Sequence, residues 1–168
     1  MSEKTYNERL RFFRKNRDKT SGMALSLTYL PNKLCGINEN APKALFEIAP
    51  LISGSDNYNW DKDVKIIINL GQKEIADFIC LAGKKVQEAS FYHTPQKSDR
   101  PSVYVALNCK WNKKEVGGIS SYSLGMYFDR NKEYKYSISL SSNEVEGLKI
   151  AFEEIYRLML DWSNEISH

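Results

Sequence analysis

The feature that most limits what this chain can fold into is an organisation that occurs twice: strand-like segments, then an amphipathic helix. The first cycle ends in VKIIINLGQKEIADFICLAGKK (residues 64–85) and the second in EYKYSISLSSNEVEGLKIAFEEIYRLMLDW (residues 133–162). Strands in runs, with helices segregated to one side, are the signature of an α+β fold built on antiparallel sheets. At 168 residues there is material for one well-buried domain and little more. The pattern therefore divides into a basic arm over residues 1–20 and one domain over 21–168, with pseudo-repeats at 21–83 and 86–166. Two curved sheets backed by helices suit an extended binding platform better than an enclosed catalytic pocket.

Alternation with a period of two marks the strands. Residues 22–31 place Met23, Leu25, Leu27 and Tyr29 opposite Ala24, Ser26 and Thr28. Residues 44–50 form a second strand closed by Pro50, and residues 64–70 are apolar on both faces, as a central, covered strand would be. In the second cycle, residues 86–95 end at a proline. Residues 102–111 set Val103, Val105, Leu107, Cys109 and Trp111 against Tyr104, Ala106, Asn108 and Lys110. NKKEVGG reads as a polar turn before strands at 121–130 and 134–140. Ile75, Phe78, Ile79 and Ala82 fall on one face of the first helix, with Gly83 as its stop. Ser141 and Glu144 form a capping box ahead of Val145, Leu148, Phe152, Ile155, Met159 and Trp162, a sustained helical stripe.

Charge is concentrated at one end. Residues 1–20 hold seven Lys and Arg against Glu3, Glu8 and Asp18, a net +4, so the rest of the chain, at a total of +3, carries −1. Such an arm suits a phosphate backbone, and equally suits a solvated terminus. RLRFFRK (residues 9–15) fits a basic helix or an edge strand.

Little points to catalysis, and the expectation is no enzymatic activity and no cofactor. Cys35, Cys80 and Cys109 are widely spaced, which suggests neither a zinc site nor a disulfide framework and fits a reducing compartment. His93 and His168 are the only histidines. His93 has no nucleophile or acid placed with it in sequence. Asp61 and Asp63 flank a loop, while Glu144 and Glu146 begin a helix, where acids favour the positive end. The sequence has no secretory h-region and no apolar run near 18 residues, so a cytoplasmic protein is expected, a bacterial or mobile-element source being compatible.

The order of several short motifs resembles the Whirly family of single-stranded DNA-binding proteins. That family shares a fold with the kinetoplastid guide-RNA-binding proteins and the positive-cofactor-four coactivators. Its pattern runs from a strand ending in FAP, through YDW, to a strand and a helix beginning near TEIG, and then FFHDP. Here FEIAP stands at residues 46–50, YNW at 58–60, VKIIINL at 64–70, QKEIADFI at 72–79 and FYHTP at 91–95. The apolar helix closes at Trp162. The match spans roughly residues 22–162. The family's Lys-rich KGKAALS strand is met only by SGMALSL at 21–27, without the lysines, and the segment before FEIAP is shorter. An alternative alignment makes RLRFFRK the first strand and GMALSLTYLP the second.

The resemblance implies two four-stranded antiparallel sheets, each followed by a helix, assembled as a homo-oligomer with a tetramer favoured. It implies single strands laid along the sheets without sequence preference, in replication, recombination or transcription. DNA is the expected ligand and RNA the alternative. An oligomeric protein-interaction module that lacks nucleic-acid binding is a further alternative. Binding a strand without reading it needs cations along the backbone and flat rings for the bases. The candidate rings are Tyr29, Tyr104, Tyr127 and Trp111, and the candidate cations are Arg11, Lys15, Lys19, Lys33, Lys110, Lys113 and Lys114. Trp111 shares its face with Val105 and Leu107, so core packing is the competing reading. Trp60, Phe91 and His93, inside the best-matched motifs, read as structural.

Overall fold

Among the described residues, eight strands and two helices follow one another as two cycles of strands and then a helix. The computed structural model describes residues 9–30, 43–94 and 104–165. The first sheet has the order β1 (Arg9–Lys15), β2 (Gly22–Leu30), β3 (Lys43–Pro50), β4 (Ile66–Leu70), and α1 (Gln72–Ala82) follows it. The second has the order β5 (Glu88–His93), β6 (Val105–Val116), β7 (Ile119–Arg130), β8 (Tyr134–Ser141), and α2 (Ser142–Glu165) follows it. Every neighbouring pair is antiparallel.

The structure decides one reading that the sequence left open and overturns two others. RLRFFRK is an edge strand, so part of the basic stretch lies within the first sheet, with Arg11 opposite Ser26 and Lys15 opposite Gly22. β4 is an edge strand, not a central one: Ile66, Ile68 and Leu70 are buried while Ile67 and Asn69 face out. NKKEVGG is not a turn. Its first five residues extend β6, and the reversal is made by Gly117 and Gly118 alone, at φ 58° and 76°. Two consecutive residues of positive φ match the twist of the flanking strands, which is why a Gly-Gly pair closes so tight a hairpin.

The helix ends follow the chemistry of their caps. Glu144 accepts from the Ser141 backbone N–H at 2.9 Å, and the Ser141 hydroxyl accepts from the Glu144 N–H at 3.4 Å, completing the capping box. Burial opposes ionisation of Glu144, but the Ser141 N–H and the Arg14 guanidinium outweigh it and hold its carboxyl below the usual range. At the end of α1 the left-handed residue is Lys84, at φ 58°, and not Gly83. Its ammonium lies 4.9 Å from the centre of the Trp111 ring and 4.2 Å from that of Tyr122. Those cation–π contacts offset the cost of a side chain in that region, about 1–2 kcal/mol.

Both sheets turn their apolar faces to the same two helices. Phe46 of β3 meets Phe78 of α1 at 5.6 Å between ring centroids, Phe152 of α2 at 5.4 Å and Phe128 of β7 at 6.4 Å. Phe78 and Phe152 are 4.7 Å apart, and Phe91 of β5 lies 6.4 Å from Phe78. All five are buried, so one core serves both repeats. Truncating Phe152 to alanine is expected to remove about 3–5 kcal/mol of stability, measured as a shift in the denaturation midpoint. A loss under 1 kcal/mol would show the cluster to be dispensable. Ser26 and Thr28, on the opposite face of β2, are buried with hydroxyls that have no hydrogen-bond partner among the described residues. Removing the orphan hydroxyl in Thr28→Val is expected to raise stability by about 1 kcal/mol. Loss of stability in that variant would reveal a partner for it.

Candidate nucleic-acid interface

With both inner faces committed to the core, the second sheet leaves most of its outer face to solvent, whereas on the first sheet Ala24, Ser26, Thr28, Glu47 and Ala49 of the outer face are buried. On the second sheet the pairing aligns polar side chains in rows. Asn108 stands beside Tyr127 and then Ser137, Lys110 beside Gly125 and then Ser139, and Asn112 beside Ser123 and then Ser141. The Tyr127 side chain is 49% exposed. A Cβ placed at Gly125 would fall 2.9 Å from the Tyr127 hydroxyl, 3.0 Å from a ring carbon and 3.0 Å from Asn112 Nδ2. The missing side chain is thus what lets the tyrosine ring lie along the sheet. Lys110, exposed, flanks it and forms no ion pair among the described residues. Ser90 donates to Asn108 Oδ1 at 2.7 Å, fixing the next position of the row.

A second aromatic element borders this face. Tyr104 and Tyr92 stack with centroids 5.5 Å apart and planes 26° from parallel. Burial and the neighbouring Asp129 raise the Tyr104 pKa. Tyr92 is 62% exposed and was not singled out in sequence, although it alternates with the buried Phe91 and lies opposite small Ala106.

The first sheet contributes at its β1 edge. Arg11, Phe13 and Lys15 point outward, alternating with the buried Phe12. The Arg11 guanidinium sits 5.9 Å from the centre of the Trp60 ring, and Phe13 lies 5.5 Å from Tyr58. Phe13, Lys15, Asp56, Asn57, Tyr58 and Trp60 line a cleft of about 480 Å³. A smaller cleft, about 380 Å³, runs along the seam between the sheets, with Arg14, Lys15 and Met23 on one wall and Ser137, Ile138 and Ser139 on the other. Ser137 and Ser139 neighbour Tyr127 and Gly125, so the seam cleft opens onto the outer face of the second sheet, and Lys15 lines both this cleft and the one beside Phe13.

The candidates named from sequence divide accordingly. Tyr104, Lys110 and Tyr127 gather on the second sheet, and Arg11, Lys15 and Lys19 on the first. Trp111 is only 7% exposed, and its indole N–H donates to the Leu81 carbonyl at 2.7 Å. It is a core residue that locks β6 to α1, as its neighbours Val105 and Leu107 foreshadow. Tyr29 lies on the helix-facing side of β2, where partial burial raises its pKa. Lys113 points away from Lys110 and pairs with Glu115 at 2.5 Å. Lys33 lies outside the described residues. Phe91 is structural, and His93 is held by Glu74 at 2.6 Å, itself the cap of α1. Among the described residues no group of three or more His, Cys, Asp or Glu is placed to hold a metal, and no helix is long and apolar enough to cross a membrane.

Asp56 is the residue of this surface that sequence reasoning missed. It accepts from Lys15 at 2.5 Å and from Lys19 at 2.7 Å, so two cations share one carboxylate. Those hydrogen bonds draw its pKa from 3.8 down to about 2, and the Lys15 pKa rises through the same bond. A lowered carboxylate pKa stabilises the fold above the unfolded value and loses that effect as pH falls through the folded one. The Asp56 carboxyl resonance is therefore expected to titrate near pH 2, with the Lys15 and Lys19 contacts intact at pH 4. A midpoint near 3.8 would mean that the lysines do not hold it.

No family model matches the chain, and no curated protein sequence matches it significantly. Solved structures do. WHY1 from Arabidopsis thaliana superposes with a TM-score of 0.67 at 17% identity, covering 96% of this chain and 90% of the other. WHY3 from the same plant gives 0.65 at 17%, covering 96% and 94%. The plant transcriptional regulator PBF-2 gives 0.61 at 16%, covering 96% and 86%. Two four-stranded antiparallel sheets sharing one core with two helices, over nearly the whole length, give this chain the Whirly fold.

Proposed function

We propose that the protein binds single-stranded DNA without reading its sequence and catalyses no reaction. The observation that carries this is the outer face of the second sheet, where Tyr127 lies along the strand over Gly125 with Lys110 beside it. A ring held flat, partly exposed and next to a cation offers a base its π-face and a phosphate its counter-charge. From there the strand continues through the seam cleft toward Lys15 and the Phe13–Tyr58–Trp60 cleft. The shared fold with a plant transcriptional regulator supports a role in transcription, with replication and recombination as the other settings. Exposed Ile150, Leu158 and Leu160 on α2 support assembly into a homo-oligomer, for which a tetramer is our reading.

The reading as an interaction module without nucleic acid draws on one observation: Asp56 already neutralises part of the charge of Lys15 and Lys19. Titration of fluorescent oligonucleotides separates the two. Single-stranded DNA is expected to bind with an affinity that falls linearly with salt on logarithmic axes, because phosphate contacts release counterions. Tyr127→Ala is expected to weaken binding by about 1–3 kcal/mol, the worth of one base–ring stack. Absent or salt-insensitive binding would favour the module. Binding unchanged in Tyr127→Ala would move the site off this face, and stronger binding to a matched RNA would reassign the ligand.

A further inference from the structure

The β6–β7 hairpin reaches beyond the sheet that carries it. β5 pairs with β6 only as far as Lys110, and β8 pairs with β7 only from Ser123, opposite Asn112. Residues 113–122 are thus a two-stranded ribbon with no third strand, extending ~13 Å at about 3.3 Å per residue. At its end Val116 and Ile119 face each other across the ladder, 62% and 75% exposed. Strand alternation puts both on the outer face, in line with Lys114, Asn112 and Lys110 along β6 and with Ser121, Ser123, Gly125 and Tyr127 along β7. The reverse face carries Lys113 and Glu115, paired to each other. Lys114 forms no ion pair among the described residues.

We propose that this ribbon is a wedge that meets the end of a duplex, so that the protein binds preferentially where a single strand joins double-stranded DNA. The inference rests on the proposed single-strand track, of which the ribbon is the continuation. Two properties choose the occupant. The tip is apolar but lies on the same face as Lys110 and Lys114, which fits an anionic partner with apolar flat surfaces. Its side chains are branched aliphatics, shaped to press between or against base pairs, whereas the flat rings that accept splayed bases stand back on the sheet. The Gly117–Gly118 turn, set by its φ values, presents the pair at the very end of the ribbon.

The test compares a plain single strand with the same strand ending in a duplex whose last base pair contains 2-aminopurine. The native protein is expected to bind the junction roughly tenfold more tightly than the plain strand, and to raise 2-aminopurine fluorescence as the terminal pair unstacks. Val116→Thr with Ile119→Thr keeps β-branched residues at exposed positions, so the strands are retained. That variant is expected to lose both the preference and the signal while binding the plain strand as before. If the plain strand binds but the junction adds neither affinity nor fluorescence, the wedge is wrong and the single-strand reading stands. If the plain strand does not bind, both fail. A change in the mass of the assembly in the double variant would show that the tip contacts a second copy, which also overturns the proposal.

Discussion

The five-phenylalanine cluster is the constraint on which everything else in this molecule depends. Phe46, Phe78, Phe91, Phe128 and Phe152 come from both sheets and both helices, and none is on the surface. Aromatic rings of this size dominate core energetics, and their tilted and edge-on contacts add specificity to bulk burial. Each repeat alone would have one sheet and one helix to close its apolar face. Sharing the core gives each sheet both helices as cover, which answers the difficulty of stabilising a domain this small.

That arrangement decides what the outer surfaces can be. Since each inner face is spent on the core, alternation sends every second residue to the outer face, which is largely open on the second sheet and buried at Ala24, Ser26, Thr28, Glu47 and Ala49 on the first. On the second sheet they are Ser, Asn, Lys and Tyr, with Gly125 making room for a flat ring. On the first they are partly covered by the 51–65 segment, where Tyr58 donates its hydroxyl to the Arg14 carbonyl at 3.2 Å and Asp56 holds two lysines. The two faces therefore differ in electrostatics despite their common plan. The stretch that is most basic in sequence is partly neutralised in the fold, while the mildly charged second sheet keeps Lys110 and Lys114 available.

Much of this was legible because period and capping are local. The strands of the second cycle, the helical stripe from Val145 to Met159 and the Ser141–Glu144 box depend on neighbours a few residues away, and sequence displays such neighbours directly. What was not legible depends on distant contacts. Asp56 lies some forty residues from Lys15, within a stretch that reads only as a turn. Trp111 was ambiguous because alternation places it with Val105 and Leu107 but cannot show the Leu81 carbonyl waiting for its indole. The edge position of β4 follows from sheet order, which hydropathy alone does not give. The ribbon was hidden because a polar run with glycines satisfies every criterion for a loop, and only the pairing of Lys114 with Ser121 shows a ladder.

The same division explains how a chain 16–17% identical to its structural neighbours can share their fold over nearly its whole length. The motifs that carry the resemblance occupy positions with structural work to do. FEIAP supplies Phe46 and Ile48 to the core, FYHTP supplies Phe91, and YNW braces the β1 edge through Tyr58 and Trp60. The core tolerates replacement only where volume and pattern are kept, so a few such positions, correctly spaced, suffice to specify the architecture. The exposed outer-face residues of the second sheet, Lys110 and Tyr127 among them, face no core-packing constraint of that kind. The likeness therefore speaks to the scaffold, while the chemistry of this surface must be argued from Tyr127, Lys110, Asp56 and the Val116–Ile119 tip as they stand in this chain.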